Sequence, residues 1–226
     1  MGRQPFLPSH RGMSYAVGAR VIEQRPAFVS SIGKCLTLWP YIEHQLGILL
    51  GNMMKAETGA AVAIFRRLRS MAMQRDVLMA AAVSLESDRQ QLFGAVLRLF
   101  QSVAKERADL AHGHWGVLDG VEDKVLWIEA KDHSPWNALV LLAEDRGEHL
   151  GHEQLQRDLY VYSLRDIDEV YDHISELWKI TFDLVGLFRD STAKGQYGLV
   201  GAALLAHLTA LPRIAQFMSI DRAGTT

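Results

Sequence analysis

From Ile167 onward, apolar residues return every three or four positions: Ile167, Val170, Tyr171, Ile174, Leu177, Trp178, Leu184 and Phe188, with Thr181 in register among them. That spacing places all of them on one side of a long α-helix. Ser163 and Asp166 stand three apart just ahead of the stripe, the spacing of a capping box, so the helix should start there. A stripe of this length needs other elements packed along it, and the rest of the chain offers mostly helices.

A first helix is expected after Trp39, with Pro40 at its first position, running to about Met54 and burying Ile42, Leu46, Leu49, Leu50 and Met53. Gly47 and Gly51, four apart, would let another helix approach closely, and Glu43 and His44 are its polar exceptions. A second helical region should run from Gly59 to about Leu85, interrupted around Ser70 to Asp76. Ser87 and Gln90 then form a capping box for a third helix reaching about Ala111, its core face marked by Leu92, Val96, Leu99, Phe100 and Val103.

After Trp115 the periodicity changes. Val117-Leu118, the turn pair Asp119-Gly120 and Val125-Leu126-Trp127-Ile128 predict a β-hairpin, and Leu159 to Tyr162 a third strand. Pro135, Gly147 and Gly151 mark a loop, with a helical piece around Trp136 to Ala143. The fold class expected is mainly α: a bundle of about four to five helices with a small β-hairpin insertion after the third helix. Residues 1–30 read as an N-terminal arm and 31–226 as a single domain, the β insertion occupying about 115–162.

Composition narrows the chemistry. At 226 residues and 49% hydrophobic content the chain can bury a substantial core. The net charge of −2 excludes a generally basic coat, but the distribution is uneven. Arg66 to Arg107 holds eight Arg and Lys against four Asp and Glu, while Asp119 to Asp190 holds seven against seventeen. The basic stretch, with Arg66, Arg67 and Arg69, suits phosphate, and the acidic stretch suits a basic partner. Cys35 is the only cysteine, so neither an intrachain disulfide nor a multi-cysteine metal site can form, which fits a cytoplasmic protein. No signal peptide is recognisable. Leu199 to Leu211 is apolar but too short to span a bilayer, so no membrane role is expected.

The chemistry-bearing stretch is Arg107-Ala108-Asp109-Leu110-Ala111-His112-Gly113-His114-Trp115. Arg107 continues the inward stripe of the third helix, where a guanidinium needs a carboxylate, a carbonyl or an anion to meet it. His112 can exchange a proton near neutral pH. In an unbroken helix, five residues separate the two by about 140°. Gly113 is a plausible stop whose altered last turn would bring them to one groove, with Asp109 and His114 available to contact a substrate.

Arginine, four intervening residues and histidine near the end of a long helix, followed by Gly and Trp as LAHGHW, resembles the motif of the HEPN superfamily over roughly residues 36 to 190. Ala108 stands where that motif often has Asn, Asp or His. His114 stands where members regulated by nucleotide transfer have Tyr. The resemblance implies a helical bundle that commonly dimerises, and an endoribonuclease of a toxin–antitoxin or antiphage system that uses neither metal nor cofactor. It assigns His112 as general base and Arg107 as phosphate stabiliser, with RNA as substrate and an antitoxin or regulatory protein as partner. A non-catalytic module of the same shape, binding a protein or nucleotide, is the alternative. Elsewhere, His149 and His152 lie three apart beside two glutamates but match no zinc-protease pattern, and His112, His114 and His133 are a further metal-capable set.

Overall fold

A computed structural model describes residues 4–5, 15–18, 20–147, 159–189 and 199–223. Eight α-helices account for most of it: α1 (Pro26–Met54), α2 (Thr58–Phe65), α3 (Met71–Ala81), α4 (Ser87–His112), α5 (Ala130–Arg146), α6 (Leu164–Arg189), α7 (Gly201–Ala210) and α8 (Pro212–Ala223). The mainly α class is as expected. The count of four to five helices is too low, because short helices fill stretches that read as loop or as parts of longer helices.

The strands are β1 (Gln4–Pro5), β2 (Tyr15–Val17), β3 (Gly113–Leu118), β4 (Val121–Glu129) and β5 (Leu159–Ser163), in one antiparallel sheet of order β1-β5-β4-β3-β2. The β3–β4 hairpin turns at Asp119-Gly120, where Gly120 takes φ +74°, a left-handed conformation that glycine adopts without Cβ strain. The expected hairpin is therefore the centre of a wider sheet, whose outer strands come from the N-terminal stretch read as an arm. Tyr15, Ala16 and Val17 pair with Leu118, Val117 and Gly116, and Gln4 and Pro5 with Val161 and Tyr160. Proline at the edge is tolerated because an edge strand can leave one side of its backbone without ladder partners.

Two compact units divide the chain. The first comprises residues 1–36 and 106–172 and contains the whole sheet with α5; the second comprises 37–105 and 173–226 and contains α2, α3, α7 and α8. In the first unit, Leu118, Leu126 and Val161 form an apolar cluster on one sheet face, flanked by Tyr15 and Val121. On the other face Trp115, Trp127, Tyr160 and Tyr162 assemble, with Trp127 edge-on to Tyr160 at a centroid distance of 5.8 Å and Trp115 tilted against Tyr162 at 5.5 Å. Arg25 fastens the hairpin by donating to the Val121 carbonyl at 3.2 Å and pairing with Glu122. Ser31 donates to Asp168 at 2.9 Å, and Cys35 is buried beside the Ile167 carbonyl, where desolvation pushes its thiol up to about 12. A thiol held protonated in this way is a poor nucleophile.

The first helix begins at Pro26, not after Trp39. Pro26 occupies its first position, and Phe28, Ile32, Cys35 and Trp39 carry a buried stripe through residues that precede Pro40. Pro40 is inside the helix and exposed, and with no amide hydrogen it leaves the Leu36 carbonyl without its intrahelical donor. In the same way α5 starts directly at Ala130 and contains Pro135 in its second turn, where a loop was expected. The α6 start matches expectation: the Ser163 amide and hydroxyl donate to Asp166 Oδ2 at 2.8 and 2.6 Å, and Ser163 Oγ accepts from the Asp166 amide at 3.3 Å.

In the second unit, α2 packs on α1 at its two glycines. A Cβ on Gly47 would approach Val62 Cα to 3.0 Å, and one on Gly51 would approach Ala61 Cβ to 3.1 Å. Glu57 caps α2 by accepting from the Gly59 and Ala60 amides, which holds its carboxyl below the ordinary range. Leu46, Leu49, Phe93, Leu99, Leu184 and Leu204 are fully buried, and Trp39 stacks on Phe100 at 5.3 Å. One polar cluster in this core joins α1 and α6. The Gln45 amide nitrogen donates to Thr181 Oγ1 and to the Trp178 carbonyl, while its oxygen accepts from Trp178 Nε1 at 3.3 Å. Replacing Gln45 by Leu keeps the volume but removes these partners. The expected result is a loss of about 1–3 kcal/mol in urea denaturation, whereas an unchanged midpoint would mean that the cluster contributes nothing net.

Among the described residues, no helix is long and apolar enough to cross a membrane. Within the Leu199–Leu211 stretch, Gly201–Ala210 forms α7, with Leu204 and Leu208 buried.

Candidate active site

Helix α4 carries the motif and runs without a break from Ser87 to His112. Leu92, Val96, Leu99, Phe100, Val103 and Leu110 are buried along it, and Arg107 lies on the same stripe, half-buried, its Nε shut off from solvent. His112 is the last helical residue and is exposed. Regular geometry puts it about 140° around the axis from Arg107. The last turn is not altered in the way that would swing the two together on one side of the helix.

The chain passes from α4 into β3 with no intervening loop, and two contacts define that junction. Trp127 Nε1 donates to the Asp109 carbonyl at 2.8 Å, one of the last-turn acceptors that the helix itself leaves without a partner. The same indole crowds Gly113: a Cβ there would fall inside the contact radius of Trp127 Nε1, Cε2 and Cδ1. Trp115 is the direct cross-strand partner of Trp127, so Gly113 is its diagonal neighbour, and only a residue without a side chain leaves room for the ring. Asp109 itself is half-buried.

His114 alternates to the opposite sheet face, across from Ile128. Its ring stacks on His133 from the first turns of α5, centroids 3.9 Å apart and planes within 18°. Desolvation, and then the proximity of His114, lower the His133 pKa. A histidine depressed in the folded state contributes stability that is present above its ordinary range and is lost as pH falls from that range toward the folded value. The unit should therefore be less stable at mildly acidic pH than at neutral pH. His133→Gln should flatten that dependence in paired denaturation curves, and equal slopes for the two proteins would exclude His133 as its source.

Sequence reasoning grouped His114 with His133 as metal-capable residues but missed that their rings stack, and it missed the Trp127 clasp, since both depend on register. Glu43, considered for a site role, accepts from Trp39 Nε1 at 3.0 Å one helical turn away, and His44 is exposed. Among the described residues no group of three or more His, Cys, Asp or Glu is arranged to hold a metal ion, which sets aside His112, His114 and His133 as a joint metal set. His149 and His152 lie outside the described residues. No family model, no curated protein and no solved structure matches the chain.

Proposed function

We propose that this chain is a HEPN-like endoribonuclease that cleaves RNA without a metal ion or cofactor. The observation carrying the reading is that a half-buried Arg107 and an exposed His112 stand five positions apart in the closing turns of one long helix. A histidine open to solvent can reach a substrate and exchange protons with water. A half-buried guanidinium presents a cation that keeps its charge.

His112, as neutral imidazole, takes the proton from a ribose 2′-hydroxyl as that oxygen attacks the adjacent phosphorus. Arg107 stabilises the charge accumulating on the phosphoryl oxygens, and the 5′-oxygen departs with a proton supplied by an acid. The products are a 2′,3′-cyclic phosphate and a 5′-hydroxyl. One histidine cannot be base and acid in the same step, and Arg107 and His112 diverge around their helix. A homodimer that brings two motifs together answers both points: His112 of one copy acts as base and His112 of the other as acid, and Arg107 of one copy can face His112 of the other. Asp109 and His114 are assigned to substrate contacts, a cytoplasmic toxin or antiphage role follows from the resemblance, and an antitoxin or other regulatory protein would restrain the enzyme.

The unbroken last turn of α4 favours a second reading, a non-catalytic module that binds a protein or nucleotide. Product analysis separates the two. Purified protein incubated with single-stranded RNA in chelator should yield fragments ending in 2′,3′-cyclic phosphate, and expression should slow bacterial growth, with His112→Ala relieving both effects. Intact RNA, or cleavage equal in wild type and His112→Ala, leaves the binding module.

A further inference from the structure

We infer that the corner between α2 and α3 is a docking surface for anionic lipid, on which the protein lies peripherally without spanning the bilayer. The inference is independent of the RNA reading and concerns only the second unit.

Five of the exposed large apolar residues fall within twenty positions here: Ile64, Met71, Met73, Met79 and Val83, with Ile64 at 59%, Met73 at 52% and Val83 at 73% exposure. Between the first two stand Arg66, Arg67 and Arg69, all exposed. From Thr58 to Leu85 the charged residues are those three arginines, Arg75 and Asp76, a balance of +3, and Arg75 and Asp76 neutralise each other at 2.7 Å. The corner is built to hold this shape. Phe65 is fully buried beneath it, Gln74 Nε2 donates to the Leu68 carbonyl at 3.2 Å, and Ser70 caps α3 by accepting from the Met73 amide. Of the eleven residues of α3 only Leu78 is buried, so the helix stands as a ridge.

The chemistry distinguishes among partners. Guanidinium groups pair with phosphate whatever carries it, so the arginines alone do not choose between lipid and RNA. RNA-binding surfaces add groups that stack on bases, yet the exposed residues from 58 to 85 include no aromatic and no histidine. What accompanies the arginines is methionine and isoleucine, flexible apolar side chains suited to the boundary between headgroups and acyl chains.

Vesicle co-sedimentation of the full chain tests this. Vesicles of phosphatidylcholine and phosphatidylglycerol in equal parts should pull the protein down, vesicles of phosphatidylcholine alone should not, and high salt should release it. The triple substitution Arg66→Gln, Arg67→Gln and Arg69→Gln should weaken partitioning by about a hundredfold. Met71→Ser with Met73→Ser should weaken it as well, and all these positions are exposed, so circular dichroism should remain that of the wild type. Absence of binding to the anionic vesicles overturns the proposal, as does binding indifferent to the arginine substitutions. Binding retained in the methionine variant also overturns it, since attraction to any polyanion would then suffice. RNA bound through the same arginines, without vesicle binding, would assign the surface to nucleic acid.

Discussion

Gly113→Ala should be the most destructive single-methyl substitution in the first unit, costing at least about 3 kcal/mol in urea denaturation, at or beyond the upper end of ordinary overpacking. The new Cβ would be built into the five-membered ring of Trp127. That ring has nowhere easy to move. Its nitrogen is committed to the Asp109 carbonyl at 2.8 Å, and its edge and faces meet Tyr160 and Tyr162 at centroid distances of 5.8 and 6.4 Å. At 1% exposure it is also sealed from solvent, so displacement would open a cavity while breaking the hydrogen bond. Trp127→Val should itself cost about 3–5 kcal/mol, in the range of large core truncations. In the Trp127→Val background, however, Gly113→Ala should be nearly silent, because the collision partner is gone. That non-additivity is the signature of a direct clash. Full additivity of the two losses would mean that Gly113 matters for its backbone conformation and that the indole is incidental.

What the sequence disclosed about this fold divides by distance along the chain. The α6 stripe and its Ser163–Asp166 cap are local patterns, and both appear where they were read. The β3–β4 hairpin was also local, since Asp119-Gly120 and the apolar runs beside it specify a turn and two strands. The pairing of Tyr15–Val17 with Gly116–Leu118 joins residues about a hundred positions apart, and a three-residue strand carries too little periodicity to announce itself. Pro26–Trp39 was misread for another reason: Pro40 suits the first position of a helix, and it masked a helix face that Phe28, Ile32, Cys35 and Trp39 had already begun. At the candidate site the residue types are legible in the one-dimensional pattern, but the altered last turn expected before Gly113 is absent, because α4 continues regularly to His112 and passes straight into β3. The His114–His133 stack is not legible there, because it requires a strand and a helix to be brought together by the sheet.

Cleavage of RNA should fall by about two to four orders of magnitude in His112→Ala, the usual contribution of a general base. Arg107→Ala should lose about two to three orders through the phosphoryl charge it no longer stabilises. Arg107→Lys should recover only part of this, because a point charge does not reproduce a planar fork of donors. The double variant should be scarcely slower than the worse single variant, as expected of groups that act in one transition state. The exposure of His112 gives a sharper test. A ring that reaches solvent leaves, when cut back to alanine, a space that a small base can enter. Added imidazole should therefore restore measurable cleavage to His112→Ala in proportion to its neutral form. It should do nothing for Arg107→Ala, where what is missing is a cation on a half-buried stripe of α4. Rescue of neither variant, with both folded by circular dichroism, would argue that His112 is not the proton acceptor. Equal rescue of both would show imidazole acting on RNA directly, and the catalytic role proposed for the motif would then be withdrawn.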